Sequence, residues 1–224
     1  MTTNPTTKPT NQTLFYYLKK VQHWSGVCFA VFTSLHVGTT ISAAISPSTY
    51  DHVLQLTRGI YRPNMIAESA LIFSPLCLHM ISNGLLTVTA NKPTTTTTMD
   101  SVSLTKKLHK WSGYVLGATV PMHMIGMRFK NSHVAEFASL NFMAEKKMGQ
   151  LGAWVYFAVL LAAGVYHGMF GVNVALGYKL KRPTVVAGVV AVLAASYFGL
   201  LGVVGFLYPA EMDVVRAKHV HFQH

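Results

Sequence analysis

The sequence predicts an all-α integral membrane protein with five transmembrane helices, four forming a pseudo-two-fold bundle and a fifth standing outside the repeat. Three observations predict it. Of the 224 residues, 51% are hydrophobic and only 11% charged, against roughly 25% charged in soluble domains. The apolar residues gather into five long segments, each near the roughly 20 residues that cross a bilayer. The first two segments are echoed in the next two.

In chain order, residues 1–13 are polar and Thr-rich. They lack the apolar h-region of a secretory signal and the Arg-rich amphipathic character of a transit peptide, so they are expected to stay as a tail. The membrane domain is expected over 14–207. Its first span covers 21–45, with Lys19 and Lys20 placed to snorkel to the interface and Pro47 after its end. The connector 50–64 has room for a short interfacial helix. The second span, 65–90, has Glu68 near its start and a kink expected at Pro75. A low-complexity linker, 91–103, leads to the third span, 104–127, with Pro121 just before His123. The longest connector, 128–149, precedes the fourth span, 150–176, which is rich in Gly and Ala and so allows close approach. The fifth, 183–207, is the most uniformly apolar. A polar tail, 208–224, contains His219, His221 and His224.

The duplication is explicit. KKVQHWSGVCFAVFTSLH at 19–36 aligns with KKLHKWSGYVLGATVPMH at 106–123, superposing Trp24 on Trp111, Ser25 on Ser112, Gly26 on Gly113 and His36 on His123. The second and fourth spans align more loosely through His79 and His167, giving repeat units 19–90 and 106–178. With five spans the termini lie on opposite faces. The N-terminal face, side A, collects ten Lys and Arg and side B eight, a slight preference for the N-terminus inside. The net charge of +11 arises because only seven acids accompany 18 Lys and Arg. It points to anionic lipid or an acidic partner subunit; no basic stretch has the aromatic interleaving of a nucleic-acid site. Cys28 and Cys77 both fall in apolar segments, so no disulfide framework is implied, and the absence of C-x-x-C-H excludes covalent haem attachment.

Four histidines, His36, His79, His123 and His167, stand one per span at steps of 43, 44 and 44 residues. An ionisable side chain at membrane depth is costly and by default marks a function. At ~1.5 Å per residue from side A, His36 and His123 share a deeper level, roughly 22–25 Å in, and His79 and His167 a shallower one, roughly 15–18 Å in. Each level then offers two imidazoles on facing helices, the arrangement that a bis-histidine haem b requires, so two haems are expected with these four residues on iron. A di-iron or zinc site needs carboxylates or thiolates beside the His, which most spans lack. A single packed His would be unremarkable; four in a repeat are not. Eleven residues before each ligand, on the same helix face, stand Ser25, Glu68, Ser112 and Tyr156. Ser25 and Ser112 are candidates for binding haem propionates. Glu68 and Tyr156 are candidates for quinone chemistry, or for a helix cap paired to Arg58 and Arg62 and an interfacial anchor. Lys110 and His109 are further propionate candidates; Trp24 and Trp111 read as interface anchors.

The four spaced histidines, the WSG…LH and WSG…MH signatures and the YHGMFGV segment at 166–172 resemble the dihaem cytochrome b anchor of the succinate dehydrogenase/fumarate reductase superfamily, over about 14–180. The resemblance implies the same His pairing, electrons taken from iron–sulfur and flavoprotein subunits, and exchange with quinone. LTRGIYRPNMIAESALIFSPLCLHMISNG at 56–84 and HKWSGYVLGATVPMHMIGMR at 109–128 look locally closer to a fungal mitochondrial membrane protein family sharing that fold, which implies a mitochondrial location; the respiratory reading makes the expected membrane the inner one. Two departures matter. Val165 stands where some dihaem anchors carry a proton-conducting Glu, and Asn83 where a Gly equivalent to Gly171 is expected. The reading is a dihaem b-type cytochrome subunit of a mitochondrial respiratory complex, not catalytic alone. Its alternative is a non-redox accessory or contact-site subunit of the same fold, with haem structural or absent.

Overall fold

A computed structural model describes residues 9–89, 104–129, 137–211, 213 and 214. Among the described residues the chain is all helical, without strands. Helix α1 runs Pro9–Ser42, starting five residues before the membrane domain expected from residue 14. Proline suits that start, because a first-turn N–H has no intrahelical acceptor to lose. The Thr- and Ser-rich second half stays helical because its hydroxyls bond back onto the helix: Thr33 to Phe29 O at 3.0 Å, Ser34 to Ala30 O at 2.8 Å, Thr39 to Leu35 O at 3.0 Å.

Helix α2 (Pro47–Tyr61) fills the 50–64 connector. Ser46 caps it, accepting from Thr49 N at 3.0 Å, with Pro47 at its first position. It buries Tyr50, Leu54, Thr57 and Tyr61 and turns Leu56 and Ile60 outward, the 3–4 spacing of an amphipathic helix. Thr57 meets Thr39 of α1, hydroxyl to hydroxyl, at 3.2 Å. The second span is one rod in three parts: α3 (Met65–Glu68), a π turn (Ser69–Phe73) and α4 (Ser74–Thr89). Pro75 lacks an N–H and its ring crowds the carbonyl four residues earlier, which is one of the recognised causes of a distorted helix. Helix α5 (Leu104–Met124) contains Pro121 and likewise passes into a π turn, Ile125–Phe129. Helix α6 (Phe137–Ala175) changes direction at Gly149, whose φ of 71° and ψ of 159° no other residue adopts without strain. Helix α7 (Arg182–Val203) ends at Gly205, φ 82°.

Among the described residues, four stretches are long and apolar enough to cross a membrane: Gln12–Ser42, Met65–Thr89, Met148–Ala175 and Arg182–Val203. The expected third span, α5, is not among them. Lys106, Lys107 and Lys110 in its first two turns dilute an otherwise apolar helix. His219, His221 and His224 lie outside the described residues.

Helix α1 packs on α4, α5 on α6, and α1 on α6, while α7 lies across α6 and α1. Small residues set the α1–α7 crossing: a Cβ at Gly199 would overlap the Thr40 carbonyl, and one at Gly202 would come within 2.5 Å of the Ala43 oxygen. Phe170, Val185 and Val189 fill the α6–α7 contact at one end, and Ala158, Leu200 and Val204 at the other. Much of the remaining apolar surface faces outward, including Trp24, Trp111, Ile66 and Val88. That is the reverse of a water-soluble bundle and suits a lipid surround.

Candidate functional site

The four histidines meet as two facing pairs. His36 and His123 have ring centroids 5.9 Å apart at 67°, and His79 and His167 have theirs 6.3 Å apart at 83°. Two imidazoles on opposite sides of one metal at about 2 Å each would set their centroids about 6 Å apart. Each pair joins helices that are not packed closely on one another, α1 with α5 and α4 with α6, so the rings face across a gap between backbones.

The side A pair is built by the repeated Trp-Ser-Gly motif. His79 Nδ1–H donates to the Gln22 carbonyl at 2.9 Å. His167 Nδ1 sits 3.2 Å from the His109 carbonyl and 3.3 Å from Ser112 Oγ. Gln22 and His109 occupy equivalent repeat positions. Each carbonyl lies four residues before a glycine whose missing side chain leaves room for the ring. A Cβ at Gly26 would stand 3.0 Å from His79 Cε1 and Nδ1; one at Gly113 would stand 3.1 Å from His167 Cε1. The serines complete the arrangement. Ser25 Oγ donates to Gln22 O at 3.2 Å and to Val21 O at 2.6 Å; Ser112 Oγ donates to His109 O at 2.9 Å. Ser25 and Ser112, propionate candidates by sequence, are buried, with their hydroxyls turned onto the carbonyls that orient the histidines. The motif's tryptophans face outward.

This is the outer-shell pattern of a metal-ligating histidine: one ring nitrogen donates to a backbone carbonyl, which fixes the ring and leaves Nε2 for the metal. His109 adds a ring stacked on His167 at 4.2 Å and 5°. Gly171 lies against that ring, where a methyl would make ordinary contact at 3.7 Å. In the first repeat the same two positions hold Gln22 and Asn83, whose side chains bond at 2.9 Å. The departure at Asn83 thus has a partner: amide with amide in one half, imidazole over glycine in the other.

The side B pair is set differently. His36 Nδ1 and His123 Nδ1 are buried without a hydrogen-bond partner among the described residues. Aromatic rings hold them instead, Phe32 stacked on His36 at 5.7 Å and Phe157 edge-on to His123 at 5.9 Å. Above this pair Glu68, 4% exposed, is gripped by Arg128 through Nε at 2.6 Å and Nη2 at 2.8 Å, with Arg62 Nε at 3.5 Å. Sequence reasoning offered Arg58 and Arg62 as partners and missed Arg128, which it placed in a connector. Both ends of the ion pair stand at π turns: Glu68 immediately precedes one and Arg128 lies within the other. Such turns re-aim side chains and recur at functional positions. Tyr156 OH donates to the Thr119 carbonyl at 3.0 Å, tying α6 to α5. Lys110 lies over the Tyr114 ring, 5.7 Å from its centroid.

The residues fit a group held by two axial imidazoles, best at side A, where both outer shells are complete. Among the described residues no group of three or more His, Cys, Asp or Glu gathers to hold a metal ion, so a zinc or di-iron cage has no ligand set there. No family model matches the chain, and neither a curated protein nor a solved structure matches it.

Proposed function

We propose that the chain is a dihaem b-type cytochrome of five spans, α5 being the one that four basic or imidazole side chains disguise. In this reading it is the electron-carrying membrane subunit of a mitochondrial inner-membrane respiratory assembly of the succinate dehydrogenase type. The observation that carries the reading is the repeated cradle: glycine, serine and a carbonyl, twice over, hold His79 and His167 facing each other at 6.3 Å. His79 with His167 would hold one haem and His36 with His123 the other. A bound haem would supply one-electron redox chemistry at iron. The chain's own residues orient the rings through Gln22 O and His109 O, keep Nε2 deprotonated by placing the proton on Nδ1, and exclude water with the surrounding apolar helices. The iron–sulfur and flavoprotein partners and the quinone enter through the family resemblance. Glu68 is not assigned to quinone, because Arg128 holds both of its oxygens.

The test is a reduced-minus-oxidised spectrum of the purified protein, with haem counted per polypeptide. Two low-spin b haems are expected; His79→Ala and His167→Ala should remove the same one, and His36→Ala and His123→Ala the other. Protein without haem would overturn the reading. The alternative, a non-redox membrane subunit of this fold, is favoured at side B by the unpartnered Nδ1 atoms of His36 and His123. One haem retained at side A alone would join the two readings.

A further inference from the structure

Three guanidiniums crowd one carboxylate at the side B rim. Glu68 is taken up bidentately by Arg128, and Arg62 stands 3.5 Å away. Arg58, in the last turn of α2, acts electrostatically on both Glu68 and Arg62. A bidentate fork satisfies both oxygens of Glu68, so the cluster is left with two positive charges more than it has negative ones. Burial first, and then the charges of Arg128 and Arg58, push Arg62 below the ordinary arginine value. Excess positive charge at the edge of an apolar slab calls for a counter-anion. The cluster is not sealed: the Arg62 and Arg128 side chains are each 24% exposed. Next to Arg62 in the chain, Ile60, Met65 and Ile66 are apolar and exposed, at 61%, 77% and 83%. Arg62 stands just before, and Met65 and Ile66 open, the candidate span Met65–Thr89, where headgroups would lie if it crosses a bilayer.

We propose that Arg62 and Arg128, with Arg58 beside them, form a binding site for the phosphate of an anionic phospholipid whose acyl chains lie along Ile60, Met65 and Ile66. Guanidinium forks match phosphate oxygens in geometry as well as charge. The surplus over Glu68 selects lipids carrying net negative charge over zwitterionic ones, whose own ammonium cancels the attraction. The lipid ties α2, α3 and the π turn after α5 into one rim. The site rests on the membrane placement of the chain and is independent of the haem reading.

The experiment is native mass spectrometry of the full chain in detergent, titrated in parallel with dioleoyl phosphatidylglycerol and dioleoyl phosphatidylcholine. Phosphatidylglycerol is expected to bind preferentially. Arg62→Gln, which leaves the Arg128–Glu68 pair in place, should weaken phosphatidylglycerol binding about fivefold and leave phosphatidylcholine unchanged. Arg182→Gln, a surface cation on the other face, should change neither. If Arg62→Gln gives no folded protein, Arg58→Gln carries the same expectation. Equal binding of the two lipids, or equal losses in Arg62→Gln and Arg182→Gln, would overturn the site. So would loss of haem with lipid binding intact, which would assign the cluster to the cofactor's carboxylates.

Discussion

Replacing Gly26 by alanine tests the cradle directly. The added methyl would stand 3.0 Å from both Cε1 and Nδ1 of His79, so the ring must give way by a few tenths of an ångström. The atom displaced is the one bonded to Gln22 O at 2.9 Å. Overpacking of this kind costs about 1–3 kcal/mol, and a weakened hydrogen bond up to about 1 kcal/mol more. Against this, alanine is better than glycine inside a helix by about 1 kcal/mol. The net expectation is a loss of about 0–3 kcal/mol, at roughly 2–4 °C in Tm for each kcal/mol. In a His79→Ala background the methyl meets no ring, and only the helix gain remains. The same substitution should then raise Tm by about 2–4 °C. The assay is thermal unfolding of the four proteins of the cycle in one detergent, followed by tryptophan fluorescence. Gly117→Ala, where a methyl meets nothing within 4 Å, serves as the stabilising control. A Gly26→Ala shift of the same sign and size in both backgrounds would falsify the claim that this glycine exists to seat the imidazole.

Three more outcomes are expected. Arg128→Ala takes both hydrogen bonds from buried Glu68 and leaves it only Arg62 at 3.5 Å, so it should destabilise by about 1–3 kcal/mol, whereas Arg128→Met with Glu68→Met should lose less; equal losses in thermal unfolding would show that the pair's charge is not what matters. Gly199→Ala drives a methyl into the backbone of α1 and should abolish folded protein on size exclusion, while Gly188→Ala meets only the Met169 Cε, 2.9 Å away and free to swing, and should cost less than about 1 kcal/mol. Burial pushes the Tyr50 phenol up to about 12, so its neutral form is favoured on folding: its contribution is intact below pH 10, falls as pH rises and is gone above about pH 12. Tyr50→Phe should flatten that alkaline loss of Tm, and an unchanged alkaline profile would count against it.

Much of this was readable in the chain. Hydropathy located the spans now seen as α1, α3–α4, the second part of α6, and α7, because long apolar runs admit few other readings. Depth along the helix axis gave the pairing of the histidines, since rise per residue is nearly invariant. The amphipathic α2 was foreseen only as room for a helix. The third span, expected at 104–127, is helical as α5, but Lys106, Lys107 and Lys110 at its start keep it out of the stretches that are apolar enough to cross by composition alone. The role of the serines was missed because a hydroxyl on the right face says nothing of whether it points into the bundle or back to its own carbonyl. The Trp-Ser-Gly repeat was recognised as a repeat but not as a cradle: that a glycine faces a ring 53 or 54 positions away is a tertiary fact. Arg128 was lost for a different reason, because the π turn carries helix past the point where the apolar pattern stops.

The packing around α5 has a mechanical consequence. In a two-fold bundle the α1–α6 seam should have a twin between α5 and α4, yet only the first is closely packed, with α7 braced across it. Helix α5 leans on α6 like a door on its hinge, and at side B the Arg128–Glu68 clasp fastens it to the rod opposite. Undo the clasp and the door swings while the frame stands. Amide exchange should then quicken first along α5, ahead of α1, α6 and α7, and the unbraced seam is where a broad flat molecule could slip between the helices from the bilayer.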